Sequence, residues 1–174
     1  VNAGLFGVFC IVGLYHLVLF GQRREDQGSL FFALLCGAIG IRQWITSRFL
    51  GELDLSPSAA SFEFLLFLEY LSMPLCVLGV AGFLNALFPS IYFKRFFVQF
   101  WSLGLGVALC VFTSVVDPVI YTKWVGVYLL HLLSGCVIGC LYLGYEVYRG
   151  NILARWMSLA LGLIVVGAIH DSLV

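Results

Sequence analysis

The chain has 174 residues, 62% of them hydrophobic, 16% aromatic and only 10% charged, with nine basic and nine acidic side chains. A soluble domain carries about a quarter charged residues, so a water-soluble globule is excluded and an integral membrane protein is indicated. A formal net charge of zero leaves no basic footprint for nucleic acid; the expected partner over most of the surface is the lipid bilayer.

Six apolar runs are long enough for spanning helices of about 20 residues, at 2–21, 29–50, 64–88, 96–116, 123–147 and 153–174. They are too long, and too weakly alternating, for the strands of a closed barrel. The predicted fold is therefore an all-α polytopic transmembrane bundle. The first run ends at Gly21 and the polar stretch Gln22 to Gly28. The second carries an intramembrane cation, Arg42, beside Gln43 in "GIRQWIT". A charge in hydrocarbon costs several kcal/mol unless it finds a partner or water, so an answering group is expected. Pro57 and its serines separate the second run from the third.

The third run holds Glu69, the acid placed at a depth comparable to Arg42 and hence its expected partner. Glu69 heads a stripe with Ser72, Cys76 and Gly79 at helical spacing, a small or polar face suited to packing against protein. Pro74 should bend this helix and release a carbonyl near Tyr70. Pro89 closes the third run and Asp117-Pro118 the fourth. The fifth has one stripe of Tyr128, His131, Gly135, Gly139, Tyr142 and Glu146, in which Gly135-x-x-x-Gly139 reads as close helix packing. Glu146 and Arg149 near its end are expected to form a solvated or headgroup-level pair. Gly150-Asn151 closes it, and His170 and Asp171 fall near the outer end of the sixth.

Basic residues cluster on alternate connections: Arg23, Arg24, Lys94, Arg95, Arg149 and Arg155 on one side, Arg48 and Lys123 on the other. That bias places the first, third and fifth connections in the cytoplasm and the N-terminus outside. Arg42 is then roughly 20 Å from the inner end of its helix, in the outer half. Gln43, Glu69, His131, His170 and Asp171 share that layer and make up the candidate ligand or switch network. Such a cluster fixes helix register more often than it binds a ligand.

No nucleophile elbow, P-loop or catalytic acid pair occurs, and no enzyme activity is expected within this sequence. His131 and His170 could ligate a haem axially, but no further ligand pairs accompany them, so no cofactor is expected. His170-Asp171 lacks the second spaced pair of a metal site. The six cysteines, at 10, 36, 76, 110, 136 and 140, lie in apolar runs and read as buried free thiols. Both ends fall inside apolar segments, so the chain is expected to be a fragment of a longer one. Two outside ends with basic inner loops also call for a seventh span.

Several short stretches resemble one family. Tyr15-His16-Leu17, Phe20 and Arg23-Arg24-Glu25-Asp26 resemble the end of the first helix in bacterial seven-transmembrane receptors with diverse intracellular signalling modules, with His16 where Asn is common. Phe67-Leu68-Glu69-Tyr70-Leu71-Ser72 is similar to that family's third-helix start, and Phe83-Leu84 to Phe88-Pro89 to its end. Ile169-His170-Asp171-Ser172-Leu173 is similar to its sixth-helix segment, again with His for Asn. The resemblance implies a periplasmic or extracellular sensing domain before residue 1. It also implies a cytoplasmic output module after a seventh helix: a histidine kinase, a cyclase or a phosphatase.

The function expected is membrane-embedded signal transduction in the bacterial inner membrane, with a homodimer as one possible assembly. Glycines at 4, 7 and 13, and at 135 and 139, would let helices approach and slide. The alternative is a small transporter with an outer-half polar pocket. It predicts an inverted repeat, and the Arg42 and Glu69 pair has no counterpart in spans four to six.

Overall fold

The computed structural model describes residues 2–46 and 59–159. Among them every regular element is helical and none is a strand. Five long helices follow one another: α1 (Asn2–Gln22), α2 (Gln27–Thr46), α3 (Ala59–Leu87), α4 (Ile91–Val115) and α5 (Pro118–Tyr148). A sixth, α6, is helical over residues 152–159, and the rest of the sixth predicted span lies outside the described residues. Four of these helices are long and apolar enough to cross a membrane by length and composition, and α1 adds a shorter apolar stretch, Phe6–Gln22.

Their boundaries move outward from the predicted ones, because residues read as stop signals are start signals here. Asp26 caps α2: the Ser29 N–H donates to Oδ1 at 3.2 Å and the Ser29 hydroxyl to Oδ2 at 2.6 Å. The helix therefore begins at Gln27 rather than at 29. Asp117 caps α5, accepting from the Val119 N–H at 2.8 Å, and Pro118 takes the first helical position, where its missing N–H costs nothing. So α5 starts five residues before the predicted 123, passing through one tight 3-10 turn at Thr122–Trp124. Helix α4 starts at Ile91, which puts Lys94 and Arg95 in its first turns rather than in a loop. From Lys94 to Leu105 it is π-helical, and it becomes α-helical at Gly106. Long π segments are rare, and π geometry is frequent at functional sites. Helix α3 extends to Ala59 at its start, ahead of the predicted 64.

The end of α5 carries the expected break in specific form. Gly150 has φ +85°, its N–H bonds the Val147 carbonyl at 3.0 Å, and the Asn151 N–H bonds the Glu146 carbonyl at 3.1 Å. That is a left-handed glycine cap. The Asn151 side chain then accepts from the Leu153 N–H at 3.1 Å and opens α6.

The chain divides into two compact units, Val1–Cys136 and Val137–Val174. In the first, α2 lies along both α1 and α3, and α3 continues along α4. Glycine makes the α2–α3 contact possible. A Cβ on Gly79 would come within 2.9 Å of Leu35 Cβ and 3.0 Å of its Cα, and the Phe31 ring occupies the space a Cβ on Gly82 would need. Gly13 lets α1 approach Cys36 of α2, and Gly135 of α5 faces Val77 of α3. A Cβ on Gly4 or Gly7 would meet nothing within 4 Å among the described residues. In the second unit the Arg149 guanidinium pairs with Glu146 at 3.5 Å and lies over the Tyr145 ring. Glu146 is only 6% exposed, so the predicted solvated pair has one buried partner.

Polarity is inverted relative to a soluble protein. Ser72, Ser102, Thr113, His131 and Glu146 are buried, while Ile11, Leu14, Val111, Leu130, Leu133 and Leu141 are exposed. An outer surface this apolar suits lipid rather than water. The cysteines depart from expectation in the same way. None of the six is in a disulfide, but Cys10, Cys136 and Cys140 lie on that outer surface, and only Cys36 is fully buried.

Candidate functional site

Three helices of the first unit meet at Pro74 of α3, Gly106 of α4 and His131 of α5. Pro74 is fully buried inside α3, where its ring removes the N–H that would bond the Tyr70 carbonyl. One turn earlier, the Ser72 hydroxyl donates to the Glu69 carbonyl at 2.6 Å. Gly106 stands where the π segment of α4 ends. A Cβ there would lie 3.7 Å from His131 Nε2, 3.7 Å from Pro74 Cβ and 3.9 Å from the Pro74 carbonyl oxygen. The missing side chain thus brings the imidazole edge against α4 and, across it, α3.

His131 is 1% exposed. Its ring lies 6.0 Å from that of Trp101, tilted by 33°, and its carbonyl accepts from Ser134 Oγ at 2.9 Å. Neither ring nitrogen of His131 nor the Trp101 indole N–H has a hydrogen-bond partner among the described residues. Buried polar groups in such a state are rare. None of Trp101, Gly106 and Pro74, the residues that gather at this junction with His131, belonged to the predicted network.

One turn along α5, Tyr128 heads a polar aromatic layer. Its hydroxyl lies 2.6 Å from Thr113 Oγ1 and donates to the Leu109 carbonyl at 3.3 Å, while Thr113 itself donates to that carbonyl at 2.8 Å. Tyr70 packs edge-on to Tyr128 with centroids 4.9 Å apart and against Tyr121 at 5.1 Å. Tyr121 and Thr113 were missed in the sequence. Tyr121 sits just beyond Asp117-Pro118, which read as a break, and Thr113 is a single hydroxyl in an apolar run. Along the Tyr128 stripe, Tyr128, His131, Gly135 and Gly139 are inaccessible and Tyr142 is half-buried, and Glu146, expected in a solvated pair, is buried too.

The other predicted residues fall as follows. Arg42 and Gln43 are half-buried in the last turns of α2. Glu69 is half-buried on α3, beside buried Tyr70. His170 and Asp171 lie outside the described residues. Among the described residues no group of three or more His, Cys, Asp or Glu gathers where it could hold a metal. At the opposite end of α2, His16 of α1 contacts the Phe32 ring at 4.6 Å, and Phe32 contacts Phe83 of α3 at 5.0 Å.

Apolar spanning helices around buried polar side chains define a polytopic helical membrane protein. More narrowly, the chain belongs to the 7TM diverse intracellular signalling family, whose model matches residues 1–174. It is a transmembrane domain of a receptor family that acts in signal transduction. No curated protein and no solved structure matches it.

Proposed function

We propose that this domain passes a binding event at an outer sensing domain to a cytoplasmic output enzyme, by shifting between two packings of the α3–α4–α5 junction. The observation that carries the reading is the junction itself. A proline inside a continuous helix, a π-to-α transition and an unpartnered buried imidazole coincide at Pro74, Gly106 and His131. A proline and a π segment are each irregularities at which helices bend or hinge, and an unpartnered buried imidazole has a hydrogen bond to gain from a rearrangement. A stimulus biases them only by its differential affinity for the two.

In this reading the basic connections face the cytoplasm, the N-terminus lies outside the inner membrane and a seventh span follows. Arg42 and Glu69 pair across α2 and α3, and Gln43, His170 and Asp171 complete the outer polar layer as a register-fixing network. The domain itself catalyses no reaction.

The test uses the full-length receptor with its native flanks in membranes. Gly106→Val adds bulk between His131 and Pro74, and the output module's activity is read with and without stimulus. Loss of the stimulated change, with the output module still active and the protein still inserted, is expected. An unaltered response would refute the junction as the switch.

A further inference from the structure

The first turns of α4 carry an unusual concentration of aromatic side chains, sorted to opposite faces. Phe93 and Phe97 turn inward, 8% and 1% exposed, with rings 4.9 Å apart. Tyr92, Phe96 and Phe100 turn outward, 88%, 63% and 67% exposed, and the Phe96 and Phe100 rings stack at 6.2 Å. Together with Arg95 the outward three line an open groove of about 400 Å³.

The charge at the head of this groove has no acidic partner among the described residues. Lys94 and Arg95 are exposed, and neither has an ion pair among the described residues. Between Glu69 and Asp117 the chain contains no acidic residue at all. The groove therefore offers Arg95 in its lining, with exposed Lys94 next to it in the chain, at the end of a membrane-spanning helix, a tyrosine beside them and two phenylalanine faces running toward the hydrocarbon. Aromatic residues with a polar tip settle at the headgroup level, and basic side chains there attract anionic lipid.

We infer that this groove binds an anionic phospholipid, its phosphate on Arg95 and Lys94 and an acyl chain along Phe96 and Phe100. Arg95 suits this role because its planar fork can take two phosphate oxygens at once. Because α4 is π-helical from Lys94 onward, the lipid would contact the segment that leads to Gly106. The inference does not depend on which side of the membrane the groove faces, nor on the switching reading above.

The experiment compares the purified full-length protein in neutral detergent with equimolar phosphatidylglycerol and phosphatidylcholine, counting bound lipids by native mass spectrometry. A preference for phosphatidylglycerol is expected in the wild type. One basic residue at an anionic surface is worth about a fivefold change in binding, so Arg95→Gln should lower the preference about fivefold, while Arg95→Lys, which keeps the charge and loses the fork, should lower it by less. Phe100→Ala should weaken both lipids alike. Inorganic phosphate at the same concentration should not compete, since it lacks the chain that fills the aromatic groove. Arg23→Gln, at a basic site outside the groove, is the control and should leave the preference unaltered. Equal binding of the two lipids by the wild type would overturn the inference. So would an Arg95→Gln preference equal to that of the wild type, competition by phosphate alone, or an equal loss in Arg23→Gln.

Discussion

Replacing Gly135 by Ala tests the contact of α5 with α3 most directly. A Cβ at that position would lie 2.8 Å and 2.9 Å from the two γ-methyls of Val77, which is 2% exposed. Val77 is β-branched and holds a stiff rotamer in a helix, so its methyls cannot swing aside. Overpacking of this kind costs about 1–3 kcal/mol. Against it, Ala is favoured over Gly in a helix by about 1 kcal/mol, so the single variant should lose only about 0–2 kcal/mol. The single measurement is therefore ambiguous, and a cycle with Val77→Ala resolves it. In the Val77→Ala background both methyls are gone, the clash vanishes and only the propensity gain remains. There Gly135→Ala should stabilise by up to about 1 kcal/mol, giving a coupling of about 1–3 kcal/mol. Reversible unfolding in mixed micelles, for wild type, both singles and the double, supplies the four values. If Gly135→Ala has the same effect in both backgrounds, within about 0.5 kcal/mol, then α3 and α5 do not meet at this point.

Asp26 gives a pH dependence. The side-chain and backbone hydrogen bonds from Ser29 hold its carboxyl below the usual carboxylate range. A folded-state pKa below the unfolded one stabilises above the unfolded value and loses that contribution as pH falls through the folded value. Thermal stability in detergent should drop below about pH 4 more in wild type than in Asp26→Asn, and equal drops would remove Asp26 as the cap that matters. For Arg42 and Glu69, either single substitution to Ala should cost about 3–5 kcal/mol, and Arg42→Met with Glu69→Gln should recover much of it; additive losses would mean that the two do not pair. In a cysteine-free version, single cysteines at Glu25 and Tyr92 should escape an impermeant thiol reagent in intact cells while one at Lys123 reacts. The reverse pattern would invert the topology.

Which helices exist was legible from the chain because membrane insertion is a one-dimensional property. Runs such as Leu65 to Val80 must satisfy their backbone hydrogen bonds internally once water is absent, and only a helix does so. The stripe from Tyr128 to Gly139 was legible for a related reason, since small and polar residues at helical spacing in an apolar run face protein, whereas Glu146 read as solvated and is buried. Helix ends were less so. Asp117-Pro118 and Asp26 are the same residue types whether they end one helix or start the next, and only the direction of the bond from Val119 or Ser29 decides. The α3–α4–α5 junction was not legible at all. Pro74, Gly106 and His131 are 32 and 25 residues apart along the chain, and nothing in their spacing says they touch. Their meeting depends on how closely α4 can approach α5 at a position without a Cβ, and on a π segment that shifts the facing of Trp101. Local sequence carries the solvent preference of each helix. Which buried polar groups face one another follows from helix rotation and register, and those are set by packing across all three helices at once.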